Sequence, residues 1–201
     1  MNVRLEYTAQ FTAGVHYSEQ LIMNVYRLTV YMVTNVREAE LTNTAFERLK
    51  YFINEVLDSS IFINSKEQEA CRLYTEAGIK ITTLPNEPVD QIVGVMLFHK
   101  LNAIMEGRIG VLETELSSHL GDNMVYFHSE NESTEDIKIP NWWNSSDPTQ
   151  FDLELQDGDQ IYKLSPGTHS LWTDIGFPWP NQEPTETGNI VFAEFGRDET
   201  K

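Results

Sequence analysis

The sequence contains a single cysteine, Cys71, among 201 residues, so no disulfide can form within the chain. A lone cysteine is typical of a reducing compartment and excludes a zinc site made of clustered cysteines. Long apolar runs are also missing, since the longest one, at 92–98, is far shorter than the roughly 20 residues that span a bilayer. Residues 1–7 alternate charged and apolar side chains, unlike a signal peptide. We therefore expect a cytoplasmic protein that does not enter a membrane.

Basic residues are scarce: 14 Lys and Arg stand against 31 Asp and Glu, for a formal net charge of -17. Proteins that bind nucleic acid through phosphate contacts need a basic surface, and so do helices that lie on anionic lipid. The composition argues against both classes and favours a protein partner with a basic surface. Mimicry of nucleic acid ranks lower, because the carboxylates are scattered and many adjoin a Lys or Arg.

Recognisable catalytic motifs are few. The sequence has no Gly-x-Ser-x-Gly nucleophile motif and no glycine-rich phosphate loop, so we expect no cofactor. Cys71 follows Ala70 in a helical pattern, which indicates an inert, semi-buried thiol. One group of residues near a predicted hairpin still permits catalysis, as a metal or acid–base site. Its members are His119, Asp122, His128 and Glu130. The simpler interpretation of these four is that they are turn residues and solvent-facing side chains.

The pattern of hydrophobic residues predicts an α+β fold with a mixed or antiparallel sheet. Period-two alternation indicates strands at 3–11 and 22–34, joined by a loop through Gly14 and Ser18. Short strands are expected at 61–63, 79–84, 151–155, 160–164 and 189–195. Segments 109–118 and 124–129 flank the turn-like residues 119–123 and predict a further hairpin.

About three helices are expected. Thr44 with Glu47, and Ser65 with Gln68, have the spacing of capping boxes and predict two helix starts. Gly78 is expected to end the second helix. The third helix, at 88–107, is apolar on nearly every side, so it should be central and buried.

The composition changes near residue 131. All four tryptophans and six of eight prolines follow it, and 131–201 holds 14 acidic and 4 basic residues. We expect a core domain at 1–130 and a loop-rich acidic extension at 131–201 packed on it. Tryptophan is enriched at interface hot spots, and nearby acids attract basic partners. The predicted partner-binding residues are Trp142, Trp143, Trp172, Trp179 and Asp174. Alternatively, the rings attach an irregular segment to the core.

Two stretches resemble small uncharacterised proteins of T4-like tailed bacteriophages: 85–94 continuing to Gly107, and 120–123. The resemblance implies a viral protein made in the host bacterial cytoplasm, and it transfers no catalytic residue. The leading hypothesis is a non-enzymatic phage accessory protein that binds a host protein. The alternatives are a structural or assembly component of the virion and a metal-dependent hydrolase.

Overall fold

The computed structural model describes residues 3–134, 136–151, 153–157, 160–164 and 171–180. The strands are β1 (Arg4–Tyr17), β2 (Gln20–Thr34), β3 (Ile61–Asn64), β4 (Ile81–Leu84), β5 (Ile109–Ser118), β6 (Tyr126–Ser129), β7 (Leu153–Asp157) and β8 (Gln160–Leu164). The helices are α1 (Ala39–Tyr51), which continues as a π-helical turn (Phe52–Leu57), α2 (Gln68–Glu76) and α3 (Asp90–Met105), with a 3₁₀ turn at Asn141–Asn144. The segment 189–195 lies outside the described residues.

Six strands form one sheet in the order β4-β3-β1-β2-β5-β6. β1 pairs with β2, β2 with β5, and β5 with β6, and all three pairs are antiparallel. β3 runs parallel to both of its neighbours, β1 and β4. Strands β7 and β8 form a separate antiparallel pair. The predicted α+β class with a mixed sheet and three helices is confirmed.

The β1–β2 hairpin is longer than the sequence pattern indicated. Its register is continuous from Arg4↔Val33 to Tyr17↔Gln20, and the two turn residues, Ser18 and Glu19, have φ of 50° and 63°. The predicted loop at Gly14 is therefore wrong. Gly14 lies within β1, where a Cβ would stand 2.8 Å from Leu21 Cδ1, so glycine here permits close strand packing.

The two faces of the sheet are covered differently. Helices α1 and α3 pack on the inner face, and α3 is buried along most of its length, as predicted. Helix α2 covers only the β3–β4 end of the outer face, where Cys71 packs with Ile61, Ile63 and Ile81. Burial raises the pKa of Cys71 to about 11, which agrees with the expected inert thiol. The outer face of β1, β2 and β5 keeps exposed side chains.

Both predicted capping boxes are wrong. Helix α1 begins at Ala39, five residues before Thr44, and α2 begins at Gln68, with Glu67 as its N-cap residue. Neither N-cap makes a side-chain capping hydrogen bond. Burial of Ala45 and Leu49 against the sheet contributes more than a local cap does. Gly78 ends α2 with φ of 72°, as expected. None of the described helices is long and apolar enough to cross a membrane.

Candidate functional site

The four tryptophans predicted to bind a partner belong to the core. Their exposed fractions are 3% for Trp142, 0% for Trp143, 6% for Trp172 and 1% for Trp179. The predicted surface of exposed indole rings is therefore wrong, because the rings pack an irregular segment against the helices. Asp174 remains exposed, and its carboxylate accepts a hydrogen bond from the backbone N–H of Leu171 at 3.1 Å.

A buried lysine attaches the first tryptophan pair to α3. The Lys100 side chain is 0% exposed, and its Nζ donates to the carbonyl oxygens of Trp142 at 2.9 Å and Ser145 at 2.8 Å. A third bond reaches the carbonyl of Asp147 at 2.7 Å, and the Asp147 carboxylate lies 3.8 Å away. Burial lowers the pKa of Lys100 to about 7, while Asp147 opposes that change. All three ammonium donors are used within the fold, so the group organises the 142–147 segment and is not a free nucleophile.

A buried arginine attaches the second tryptophan pair to α1. Arg48 is 1% exposed, and its guanidinium lies 3.9 Å from the ring centroid of Trp179 and 4.9 Å from that of Trp172. It also donates to the Phe177 carbonyl at 3.0 Å and to Glu106 Oε1 at 2.8 Å. These contacts combine a cation–π pair with charge-assisted hydrogen bonds. They fix the 172–179 segment to the core.

The structure does not bring His119, Asp122, His128 and Glu130 together as a metal cluster. His128 points to the covered face of β6, where its ring packs 5.0 Å from Phe98 and its Nδ1 lies 3.2 Å from Glu132 Oε2. His119 and Asp122 belong to the exposed turn, and Glu130 is exposed beyond the strand. Among the described residues, no group of three His, Cys, Asp or Glu is placed to hold a metal ion. His128 is buried on the inner face of β6, whereas His119 lies in the turn that borders the groove on the outer face.

A half-buried histidine on α3 faces His128. The His99 ring stacks on Trp143 with centroids 6.2 Å apart and lies 6.2 Å from the His128 ring. Burial lowers the pKa of His99 from its usual 6.5, and the charge of His128 lowers it further, while a hydrogen bond with Asn144 opposes both. We therefore expect the folded chain to resist protonation at this position.

Acid should weaken the fold through His99. Between pH ~6.5 and the lower pKa of His99 in the folded chain, the unfolded chain holds a proton on this ring and the folded chain does not. The His99 contribution to stability therefore decreases as the pH falls through this range. Replacing His99→Gln should flatten the change in denaturation midpoint between about pH 7.5 and pH 5.5. The exposed His119→Gln serves as the control. Equal acid sensitivity in both variants would contradict the assignment.

The outer face of the sheet contains a groove of about 600 Å³. Its floor consists of cross-strand rows, with Gln10, Arg27 and Ser117 aligned in one row and Thr29 opposite Glu115 in the next. The lining residues are Gln10, Val25, Arg27, Thr29, Glu115, Ser117, His119, Asn123 and Val125. The groove therefore combines a guanidinium, a carboxylate, an imidazole, amides and hydroxyls in one concave surface.

The β5–β6 turn forms one wall of this groove and is attached to β2. The backbone N–H of His119 donates to the Val25 carbonyl at 3.2 Å, and that of Leu120 donates to Asn24 Oδ1 at 3.1 Å. The wall is therefore fixed by long-range bonds and is not a free loop.

A buried carboxylate supports the same wall from the inner face. The Ser118 hydroxyl donates to Asp90, with Oγ 2.7 Å from Oδ2, and accepts from the backbone N–H of Gly121 at 3.1 Å. A Cβ at Gly121 would collide with the Asp90 carboxylate, so glycine is needed at this close approach. Burial raises the pKa of Asp90, although the bond from Ser118 opposes the change. The Asp90–Ser118 pair thus positions the turn that carries His119.

Exposed apolar side chains lie along the β5–β6 connection, on β6 and at the adjoining end of β2, where the backbone N–H of Leu120 bonds to Asn24 Oδ1. We call these side chains the apolar rim, and one of them, Val125, also lines the groove. Their exposed fractions range from 47% for Val125 to 62% for Met23. The rim consists of Met23, Leu120, Met124, Val125 and Phe127. Clustered exposed apolar groups are typical of interaction surfaces, whereas scattered ones are not.

No protein-family model and no curated protein sequence matches this chain. Several solved structures are partly similar to this chain. An uncharacterized protein, WS1659 from Wolinella succinogenes, is 13% identical over 65% of this chain and 99% of that chain, with a TM-score of 0.45. The 6-pyruvoyltetrahydropterin synthase of Plasmodium vivax is 10% identical over 66% of this chain and 99% of that chain, with a TM-score of 0.42. Similarity at this level transfers no activity, substrate or residue role to this chain.

Proposed function

We propose that this chain is a phage accessory protein that binds a host protein on the open outer face of its sheet, with the apolar rim as the centre of the contact. The observation that supports this proposal is a set of five large apolar side chains, each 47–62% exposed, along the β5–β6 connection, on β6 and at the adjoining end of β2. Burying such groups on association removes apolar area from water at ~25 cal/mol per Å². The rim therefore replaces the tryptophans as the predicted anchor.

Carboxylates on the outer face support a partner with a basic surface, and one of them, Glu115, lies opposite Phe127 of the rim. Glu6 and Glu113 lie opposite Tyr31 in one cross-strand row, and Glu115 lies in the neighbouring row. A hydrogen bond to Glu115 raises the pKa of Tyr31, and the charges of all three carboxylates raise it further. The three carboxylates concentrate negative charge around Tyr31 on the outer face. A negative surface next to an apolar centre accelerates association with a cationic partner.

The test replaces two rim side chains in the full chain, Met124→Ser together with Phe127→Ser. The host protein that the wild-type chain captures from bacterial lysate should be recovered at least about tenfold less by the variant, because the loss of two anchors exceeds ~1.4 kcal/mol. Leu73→Ser is the matched control, since Leu73 is 55% exposed on α2, away from the rim. Equal capture by the double variant and the control would refute the proposed surface.

A further inference from the structure

We propose that the groove on the outer face binds a small zwitterion, with Arg27 holding its carboxylate and Glu115 accepting hydrogen bonds from its ammonium group. This inference goes beyond protein docking, because it concerns the concave polar floor and not the apolar rim. Three observations support it. Arg27 and Glu115 carry opposite charges and do not pair with each other, the floor of the groove consists of hydrogen-bonding side chains, and the β5–β6 turn that forms its wall is held in place by hydrogen bonds.

Arg27 is available to a ligand. Its side chain is exposed on the outer face of β2, and within the described part of the chain it makes no ion pair. Gln10 and Ser117 stand on either side of it in the same cross-strand row. A guanidinium offers five donors in a planar fork that matches a carboxylate. The two neighbours add an amide and a hydroxyl that can bond the same group.

Glu115 provides the opposite charge one row away. Arg27 and Glu115 are diagonal neighbours on adjacent strands and line the same groove, and their charged groups form no ion pair with each other. A hydrogen bond with the Tyr31 hydroxyl orients the Glu115 carboxylate. A ligand that carries a carboxylate and an ammonium group would satisfy both groups at once.

The groove is shaped before any ligand arrives. The backbone of the wall is bonded to Asn24 and Val25 on one side and supported through Ser118 and Asp90 on the other. Its volume of about 600 Å³ falls within the ~300–1,000 Å³ typical of small-molecule sites. Val25 and Val125 give the ligand's methylene groups an apolar contact. Preorganisation of this kind reduces the entropy lost on binding.

Glycylglycine is the probe, because it is a small zwitterion whose amino and carboxylate groups can each be blocked separately. Amide resonances of the full, isotope-labelled chain are followed by NMR as the dipeptide is added. Saturable shifts are expected at 8–10, 25–29 and 115–125. N-acetylglycylglycine lacks the ammonium and glycylglycinamide lacks the carboxylate, so each should bind at least about tenfold more weakly.

Two conservative substitutions assign the contacts. Arg27→Met should reduce affinity for glycylglycine to the level of glycylglycinamide, and Glu115→Gln should reduce it to that of N-acetylglycylglycine. Arg72→Met and Glu69→Gln, both on exposed positions of α2, are the matched controls and should bind normally. The proposal is overturned by shifts that do not saturate at millimolar dipeptide, by equal binding of all three probes, or by full binding in both groove variants.

The outcome is independent of the proposed docking function. The Met124→Ser, Phe127→Ser variant leaves the charged floor intact, so it should still bind glycylglycine while failing to capture the host protein. Arg27→Met should show the reverse pattern. Loss of both activities in either variant would mean that one surface serves both, and the separate zwitterion site would be rejected.

Discussion

Lys100→Met is expected to lower the free energy of unfolding by about 3–5 kcal/mol, the range found when one partner of a buried charge network is removed. The reason is that three carbonyl oxygens, of Trp142, Ser145 and Asp147, lose the same donor at once. Each buried acceptor left without a partner costs ~1–3 kcal/mol. Urea denaturation of the full chain, followed by circular dichroism, measures the change.

Lys66→Met is the control for this substitution, because Lys66 is exposed and the same atoms are replaced. It should change stability by less than ~0.5 kcal/mol. If Lys100→Met cost no more than the control, the ammonium would not be the group that organises the 142–147 segment. Loss of this segment should also expose the Trp143 ring, which is 0% exposed in the wild type, and shift its fluorescence to longer wavelength.

Arg48→Met should have an effect of the same size, about 3–5 kcal/mol. Methionine keeps much of the buried volume but loses the bonds to the Phe177 carbonyl and to Glu106, together with the ring contact to Trp179. Glu106 then keeps Arg108, whose Nη1 lies 3.1 Å from Oε2 and whose guanidinium lies 4.1 Å from the Trp179 centroid. We therefore expect partial rather than complete release of the 172–179 segment.

Limited proteolysis and tryptophan fluorescence would detect that release. The control is Arg72→Met, an exposed arginine whose pair with Glu76 spans 3.9 Å at the surface and contributes little. An Arg48→Met chain as stable as this control, with unchanged fluorescence, would show that the tryptophans are held by apolar packing alone.

The strand and helix pattern could be predicted where side chains repeat regularly. The alternation at 3–11 and 22–34 and the apolar run of α3 each correspond to an observed element. The loop predicted through Gly14 and Ser18 is too long, because Ser18 and Glu19 form a two-residue turn with positive φ and without the glycine or asparagine that usually marks such turns. The start of α1 was missed because tertiary burial, not a local cap, fixes it.

The candidate site was much harder to predict. Trp142 and Trp179 occur in irregular segments, where no periodicity tells an inward ring from an outward one. Lys100 is the clearest indication in the sequence of a buried charge, since it is the one Lys, Arg, Asp or Glu between Gln91 and Ala103 in a largely apolar helix. The groove exists because α2 leaves part of the outer face uncovered. The position of α2 is set by β3 and β4, which join the sheet beside β1 although they are distant from it in sequence.

The two buried cations, Lys100 and Arg48, reduce the positive charge at the molecular surface. Lys100 and Arg48 are two of only 14 basic residues, and both are withdrawn from solvent, whereas Asp90 is the one buried carboxylate in the part of the chain that the structure describes. The exterior is therefore more anionic than the formal charge of -17 suggests. Copies of this chain should repel one another at low ionic strength, and salt should relieve that repulsion within a Debye length of roughly 8–10 Å.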